Sequence, residues 1–213
     1  MDVIDSHYEY VVEQSQTTTK QQAYRAMNRL EGWCSKEKAS TLIDLIYLAK
    51  AKTVVEIGVW GGKSLVPMGF ALRETGGKAY GIDPWSSEYS IDGMEGVNKD
   101  WWGTVDHENI MLDLLEKIHQ FNLDKQIELI RSSSEEADPI GNIDVLHIDG
   151  NHSEKTSMID VNKWVPLVRS GGFVIFDDIN WGTTDKAVKY LDETCVKIAE
   201  ISGDNIWGIW VKP

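Results

Sequence analysis

The chain has 213 residues, which is enough for one well-packed core and too few for two full domains. Its 34 acidic side chains outnumber the 21 basic ones, and a formal net charge of −13 argues against general binding to nucleic acid. No stretch approaches the roughly 20 apolar residues that cross a bilayer, and the acidic start lacks the apolar segment of a secretory signal. We therefore expect a soluble, cytoplasmic protein whose two cysteines, Cys34 and Cys195, are free thiols.

Two helices are predicted before the first strand. Apolar residues recur at helical spacing in residues 21–30 and again in residues 35–51. Ser35 is suited to cap the N-terminus of the second helix, because its hydroxyl can accept a hydrogen bond from a free backbone N–H. We take residues 1–52 as a helical segment packed on the core and residues 53–213 as the main domain.

A short apolar run followed by glycines is the central motif of the sequence. Residues 53–57 predict a strand, the glycine-rich residues 58–62 predict a tight turn, and a helical pattern resumes at Leu65. Because a backbone without Cβ can turn sharply, a ligand can approach the amide groups at the N-terminus of that helix. The turn therefore predicts a nucleotide-like cofactor, and the candidate binding residues are Gly58, Trp60, Gly61 and Ser64.

The spacing of the glycines separates several kinds of cofactor. A phosphate-binding P-loop has four residues between its first glycine and the Gly-Lys-Ser sequence, whereas only three residues separate Gly58 from Gly62. A dinucleotide-binding turn needs a second glycine where this chain has Trp60. Both are disfavoured, although a P-loop-like nucleotide hydrolase that uses the Lys-Ser pair after Gly62 stays an alternative.

Acidic residues lie at the ends of the first two predicted strands. Glu56 precedes the glycine turn, and Asp83 ends a second strand one βα unit later. An acid at the tip of the second strand is suited to bind ribose hydroxyls. A cofactor with a ribose, a cationic end and no phosphate fits this pair, and S-adenosylmethionine has these properties. The alternative is that both acids only cap helices or lie solvated in loops.

A segment rich in tryptophan follows the second strand. Residues 84–104 contain Trp85, Trp101 and Trp102 and have no clear helical period. Long loops inside a compact domain are usually lids or binding loops. The alternative is a surface loop that is anchored only by its buried aromatic side chains.

Three carboxylates are predicted to meet at the tips of two neighbouring strands. Residues 143–148 predict a strand that ends at Asp149, and residues 173–176 predict the next strand, which ends at Asp177 and Asp178. Mutual repulsion would raise at least one of their pKa values unless a cation lies between them. Mg²⁺ with oxygen ligands would remove this repulsion, so we expect these three residues to bind Mg²⁺ or a similar ion. The alternative is that they are turn and helix-capping residues.

Two other polar residues of the fourth strand are expected to be structural. Asp144 lies at the amino end of the strand, about 16 Å from Asp149 at roughly 3.3 Å per residue. It is therefore too far from the strand tips to share their chemistry. His147 lies in the middle of the strand, where we expect a buried histidine with a hydrogen-bond partner.

The order of the predicted elements indicates the fold class. After the first crossover helix, further helices are predicted at residues 105–121, 156–168 and 184–193, with a third strand at 126–131. Two last strands, at residues 195–201 and 206–211, flank a turn and predict an antiparallel hairpin. We expect an α/β fold with a Rossmann-like, doubly wound and mostly parallel seven-stranded sheet that ends in this hairpin.

Four of these stretches resemble the successive motifs of class I S-adenosylmethionine-dependent methyltransferases. They are EIGVWGG at 56–62, GIDPW at 81–85, HIDGNH at 147–152 and GGFVIFDD at 171–178. More narrowly, they are similar to the metal-dependent O-methyltransferases, including the macrolide and aminocoumarin sugar enzymes. This resemblance implies that the main domain binds S-adenosylmethionine and transfers its methyl group to a hydroxyl of a small molecule or sugar.

The resemblance also implies roles for individual residues. Ser133, after the third strand, lies where related enzymes bind the adenine ring, although it is equally suited to cap the next helix. His152 lies three residues after Asp149, where the sugar-type enzymes have their general base. His152 as an ordinary exposed loop histidine is the alternative.

The two N-terminal helices lie where related enzymes form the mouth of the cofactor site or a dimer contact, so a homodimer is one expectation. A protein that binds S-adenosylmethionine without turnover is a further alternative. The presence of the three predicted metal-binding carboxylates in this chain argues against that alternative.

Overall fold

The structure is a computed structural model that describes residues 16–93, 96–203 and 205–213. Its seven strands are β1 Thr53–Ile57, β2 Lys78–Asp83, β3 Ile127–Arg131, β4 Ile143–Ile148, β5 Val168–Phe176, β6 Val196–Ser202 and β7 Ile206–Val211. They form one sheet in the order β3-β2-β1-β4-β5-β7-β6. Strands β1 to β5 are parallel to one another, whereas β7 runs antiparallel to both β5 and β6. The predicted fold class, including the C-terminal hairpin, is confirmed.

Helices cover both faces of the sheet. They are α1 at 16–27, α2 Lys36–Ala49, α3 Leu65–Thr75, α4 Ser87–Ser90, α5 Gly96–Thr104, α6 His107–Gln120, α7 Glu154–Trp164 and α8 Asp185–Thr194. Side chains of α1, α2, α3 and α6 pack in one core cluster, and those of α7 and α8 pack in a second cluster on the opposite face. Successive side chains of a strand point to opposite faces of the sheet, so Val54 lies in the first cluster and Val55 in the second. Within the described ranges, no helix is long and apolar enough to cross a membrane.

The connectivity places a crevice at the carboxyl end of β1. This strand pairs with β2 on one side and with β4 on the other, so the chain winds away from it in both directions. Open α/β sheets bind ligands at such a switch point. Backbone hydrogen bonds continue past the strand ends there, from Gly58 N to Ile82 O at 3.0 Å and from Asp149 N to Ile57 O at 2.8 Å. These bonds fix the tips of β1, β2 and β4 relative to one another.

The N-terminal helices pack on this core as part of its first cluster, through residues such as Ala23 and Leu42. Ser35 caps α2 as predicted, since its side chain accepts a hydrogen bond from Lys38 N at 3.1 Å. Residues 1–15 of the predicted N-terminal segment lie outside the described residues, and a boundary at residue 52 stays a prediction. Both cysteines are free thiols, as expected.

The segment at residues 84–104 differs from the prediction. It contains the two short helices α4 and α5 instead of one continuous loop, apart from residues 94 and 95, which are not described. Aromatic contacts hold α5 at one end, although the sequence shows no clear helical period. Trp102 of α5 packs against Trp60 of the glycine turn, with ring centroids 4.8 Å apart.

A polar network around Asp144 lies at the amino ends of the central strands. Asp144 accepts hydrogen bonds from the backbone N–H groups of Lys52 and Thr53, at 2.7 and 2.9 Å, and from Arg169 Nε at 2.5 Å. Burial opposes ionisation of this carboxyl group, but the Arg169 guanidinium and the two N–H groups outweigh it and lower its pKa. Asp144 therefore joins the starts of β1, β4 and β5, which confirms its predicted structural role.

Replacing Asp144 by alanine should destabilise the fold without affecting the ligand cavity. The two backbone N–H groups and the Arg169 side chain would lose their acceptor, which should lower the free energy of unfolding by roughly 2–4 kcal/mol. Urea denaturation measures this change. Asp113→Ala is the control, because Asp113 is half-exposed and forms an i,i+4 pair with Lys117 on α6, whose loss should cost about 0.5 kcal/mol or less. Equal losses for the two variants would contradict the structural role of Asp144.

Candidate active site

A cavity of about 1090 Å³ lies over the carboxyl ends of the parallel strands. Its floor comprises residues that follow β1, β2 and β4, including Gly58, Asp83 and Asp149. Residues of the α2 N-terminus, the tryptophan segment and the β6–β7 turn complete its walls. This volume is at the upper end of the range for small-molecule sites, and it is large enough for a nucleoside cofactor together with a second substrate.

The glycine turn brings β1 and β4 into close contact. Gly58 has a φ of 82°, and a Cβ atom added to it would lie 2.1 Å from the carbonyl oxygen of Asp149. Only glycine fits a position that combines this φ with such an approach. Next in the turn, the N–H groups of Val59 and Trp60 both donate to Asp83 Oδ2 at 2.9 Å. Asp83 thus holds the turn in shape.

The other carboxylate oxygen of Asp83 is not bound to the turn. This oxygen, Oδ1, accepts a hydrogen bond from Trp85 N at 2.7 Å, and the residue lines the cavity wall. Burial raises the pKa of this carboxyl group, although the N–H groups of Trp60, Trp85 and Val59 oppose the rise. A carboxylate oxygen can accept more than one hydrogen bond, so contact with a ribose hydroxyl remains open to it.

Five of the predicted cofactor residues line the cavity: Gly58, Trp60, Ser64, Asp83 and Ser133. Gly61 does not, because it packs against the chain at Glu31, where an added Cβ would lie 2.6 Å from Glu31 Cβ. Ser133 also has the alternative capping role, since its Oγ accepts a hydrogen bond from Glu136 N at 3.2 Å.

Glu56 has a partner that the sequence did not predict. Strand register places it beside His147 of β4, and its Oε1 lies 2.7 Å from His147 Nδ1. Both side chains are fully buried, and Glu56 is absent from the cavity wall. The pairing with His147 accounts for Oε1 of Glu56, and its predicted contact with the cofactor stays a prediction, whereas a buried, hydrogen-bonded His147 is confirmed.

A lysine that the sequence did not single out lies between two of the three predicted metal ligands. Lys38 of α2 is 2% exposed, and its Nζ forms ion pairs with Asp177 Oδ2 and, at 3.4 Å, with Asp149 Oδ2. Asp177 in turn lies 3.6 Å, through Oδ1, from Nε2 of His147. Asp149 and Asp177 therefore come together at the strand tips, with an ammonium group already between them.

The pKa values reflect this arrangement. Burial disfavours the charged form of Lys38, yet Asp149 and Asp177 outweigh it and raise the lysine pKa. Burial also disfavours ionised Asp177, but Lys38 and His147 hold its pKa well below the usual range. Asp149 differs, because burial and the adjacent Asp177 charge raise its pKa to about 7. Burial and Lys38 act against protonation of His147, whereas Asp177 and Glu56 raise its pKa to about 9.

Asp178 points to His152 instead of joining this cluster. Its Oδ2 lies 3.0 Å from His152 Nε2, and Asp149 Oδ1 lies 3.8 Å from the same nitrogen. The imidazole also contacts the ring of Trp181, with centroids 5.3 Å apart. Burial opposes protonation of His152, but its hydrogen bond to Asp178 and the nearby carboxylates raise its pKa.

Among the described residues, some features of the strand tips favour the predicted Mg²⁺ site and others oppose it. Ligand atoms of His147, Asp149 and Asp177 lie within 4.8 Å of one another, which is a spacing that a metal ion can bridge. However, this set omits Asp178, and Lys38 already supplies the counter-charge for both of its aspartates. A dication placed among them would be repelled by the ammonium group. With Lys38 in this position, the residues do not fit a divalent ion.

Aromatic side chains form one wall of the cavity. Trp60, Trp101 and Trp102 line it together with Trp33, and their ring centroids lie 4.8 to 6.1 Å apart. Trp33 and Trp101 remain 66% and 44% exposed, so they can contact a bound molecule. The predicted alternatives for the tryptophan segment were a binding element and a mere surface loop, and its position at the cavity favours the first.

Asn151 is a further site residue that the motif contained but did not explain. Its side-chain nitrogen donates to the backbone carbonyls of Tyr89, Ser90 and Asp92 at 3.0 to 3.3 Å. The loop after β4 is therefore tied to the tryptophan segment. Sequence alone offers no signal for such a contact, because its partners are backbone atoms about 60 residues away.

Comparisons with known proteins agree with this geometry. A family model described as a methyltransferase domain matches residues 55–179, more than half of the chain. A search of curated protein sequences gives no match.

Solved structures share the fold at low sequence identity. The O-methyltransferase from Bacillus cereus in complex with SAH has a TM-score of 0.63 and 16% identity, covering 92% of this chain and 91% of that one. The O-methyltransferase TomG from Streptomyces achromogenes, in complex with SAM, has 0.61 and 15%, covering 93% and 90%. The SAH-bound methyltransferase PaMTH1 from Podospora anserina has 0.64 and 12%, covering 100% and 98%. The family match and this shared architecture show that the chain belongs to the methyltransferase domain family and has the fold of class I S-adenosylmethionine-dependent methyltransferases.

Proposed function

We propose that this protein transfers a methyl group from S-adenosylmethionine to a hydroxyl group of a small molecule or sugar. The observation that carries the proposal is the pair of His152 and Asp178, which lies in the wall of the same cavity as the glycine turn. A hydroxyl group needs a base to become a competent nucleophile, and a histidine oriented by a carboxylate is suited to that task.

The cofactor would lie against the glycine turn, with Asp83 accepting a hydrogen bond from a ribose hydroxyl. Trp60, Ser64 and Ser133 line the same cavity and are the further proposed contacts. The acidic floor suits a cationic sulfonium, because opposite charges attract strongly where water is excluded. This arrangement supports S-adenosylmethionine over a nucleotide triphosphate, whose phosphates would be repelled by the same carboxylates.

The base is proposed to act through the nitrogen that Asp178 leaves free. With Nε2–H donating to Asp178, Nδ1 carries the lone pair that takes the proton from the acceptor hydroxyl. The bound oxygen then attacks the methyl carbon as the carbon–sulfur bond breaks, and S-adenosylhomocysteine leaves. Holding the oxygen, the methyl group and the sulfur in line contributes by proximity and orientation.

The Mg²⁺ predicted at Asp149, Asp177 and Asp178 has no step in this mechanism. When bound at such a site in other enzymes, Mg²⁺ lowers the pKa of the acceptor hydroxyl. Here Asp178 is engaged with His152, and Lys38 lies between the other two aspartates. Metal dependence of this protein stays a prediction from sequence, as do its homodimer and its cytoplasmic location.

The acceptor is proposed to be neutral, with an apolar face. Tryptophan rings at the cavity stack well on phenols and on the apolar faces of sugar rings. The acidic surroundings would repel an anionic acceptor. Phenols and sugars are therefore the first acceptors to screen.

Replacing His152 by alanine should remove turnover while S-adenosylmethionine still binds. Loss of a general base typically costs about 10²–10⁴-fold in rate. Release of S-adenosylhomocysteine measures turnover, and calorimetry measures cofactor binding. His119→Ala is the matched control, because this histidine is 83% exposed on α6 and pairs only with Asp124. Unchanged turnover in the His152 variant would contradict its role as base.

The pH profile should reveal the pairing with Asp178. Because Asp178 raises the pKa of His152, the base becomes active only at a pH above the ordinary histidine value of about 6.5. Asp178→Asn removes that effect, so the acidic limb of kcat/KM should move to lower pH while the maximal rate falls. An acidic limb in the same place for both proteins would show that Asp178 does not act on His152.

Ligand binding separates the methyltransferase from the nucleotide hydrolase. S-adenosylhomocysteine should raise the Tm, whereas ATP or GTP with Mg²⁺ should leave it unchanged, because only a ligand of the native state stabilises it. Asp83→Asn should weaken this stabilisation, since an amide accepts through its oxygen alone, so that either the turn or Trp85 N loses its acceptor. A Tm increase with ATP alone would favour the hydrolase, and cofactor binding without turnover on any acceptor would favour a non-catalytic protein.

A further inference from the structure

The carboxylate cluster at the strand tips already contains a built-in cation. Lys38 is 2% exposed and Asp177 is fully buried, so their ion pair is shielded from water on all sides. Asp149, the second partner of Lys38, remains 27% exposed and lines the cavity. The ammonium group therefore connects the buried interior with the carboxylate that faces the bound molecules.

Local structure holds the lysine in this position. Lys38 lies in the first turn of α2, and its backbone N–H donates to the capping Ser35 side chain. Its Nζ also lies 5.9 Å from the centre of the Trp207 ring, within the range of a cation–π contact. The capped helix thus fixes the backbone of Lys38, and the Trp207 ring contacts its ammonium group. The side chain therefore has little freedom to leave the carboxylates.

Two cations offset most of the negative charge of the cluster without a metal. Glu56, Asp149 and Asp177 supply the negative charges, while Lys38 and His147 supply positive ones at distances of hydrogen bonds or close ion pairs. A buried carboxylate without a partner is costly, and a buried ammonium group is equally so. Each of these side chains therefore stabilises the charge of its neighbours.

We propose that Lys38 takes the place of a divalent cation in this protein, so that its methyl transfer needs no bound metal. This inference rests on the proposed function. Lys38 is a positioning residue: its ammonium group holds Asp149 at the cavity wall beside His152 and provides positive charge near the oxygen that loses its proton. No electron transfer or further reactant is involved.

Metal binding tests the inference directly. Mn²⁺ should not bind the wild-type protein in calorimetry with S-adenosylhomocysteine present, at concentrations up to about 1 mM. Lys38→Ala removes the ammonium group and leaves Asp149, Asp177 and His147 around an open space. This variant should bind Mn²⁺ at least about tenfold more tightly than the wild type, because the like charge is gone. Stoichiometric Mn²⁺ binding by the wild type would overturn the inference.

Turnover supplies a second readout. The wild type should keep its rate in EDTA, whereas Lys38→Ala should lose about 100-fold and recover part of it with Mn²⁺. Loss of wild-type activity in EDTA, restored by Mg²⁺ or Mn²⁺, would overturn the inference. Lys36→Ala is the matched control, since Lys36 lies on the same helix with its side chain exposed, over the ring of Tyr24. It should change neither metal binding nor rate.

Two further measurements keep the outcomes separate. Lys38→Met retains the side-chain volume without the charge, and a Tm increase with S-adenosylhomocysteine shows that either variant is folded. If neither variant folds, the wild-type titration and the EDTA assay still decide the question. Absence of S-adenosylhomocysteine binding or of methyl transfer to any hydroxyl would overturn the proposed function instead, and the Mn²⁺ titration, repeated without S-adenosylhomocysteine, does not depend on either result.

Discussion

The arrangement of the site depends on the repulsion between carboxylates that parallel strands bring together. Asp149 and Asp177 follow neighbouring strands and both contact the same ammonium group, Asp177 fully buried and Asp149 at the cavity wall. Their charges can coexist only with a cation nearby. Lys38 and His147 meet that need from α2 and β4, and the distribution of pKa values follows from which aspartate each cation contacts. Helix α2 is therefore part of the site in addition to covering the sheet.

Much of this architecture is encoded locally and could be predicted. Strand β4 and the hairpin strand β7 have the predicted bounds, because runs of apolar residues between turn residues are strong local signals. The positions of Asp149, Asp177 and Asp178 follow from the parallel topology alone. The direction of each side chain does not, because it depends on backbone geometry after the strand. Asp178 has a φ of 52° and turns to His152 instead of joining Asp177.

The features that could not be predicted all depend on contacts between distant residues. Lys38 is separated from its partners by 111 and 139 residues, and nothing around it in the sequence distinguishes it from a solvated helix lysine. The partner of Glu56 could not be predicted either, since strand register pairs it with His147 and its place in the motif does not. The two helices of the tryptophan segment also depend on tertiary packing, because their apolar residues follow no helical repeat.

The amide of Asn151 has a mechanical consequence. It sits one residue before His152 and two after Asp149, and it grips three carbonyl groups of the segment around α4. That segment cannot move away from the cavity without breaking those bonds or displacing the loop that carries His152. Opening of the cavity on that side and the placement of the His152 imidazole are therefore coupled, through this amide together with the ion pair of Lys155 with Asp92.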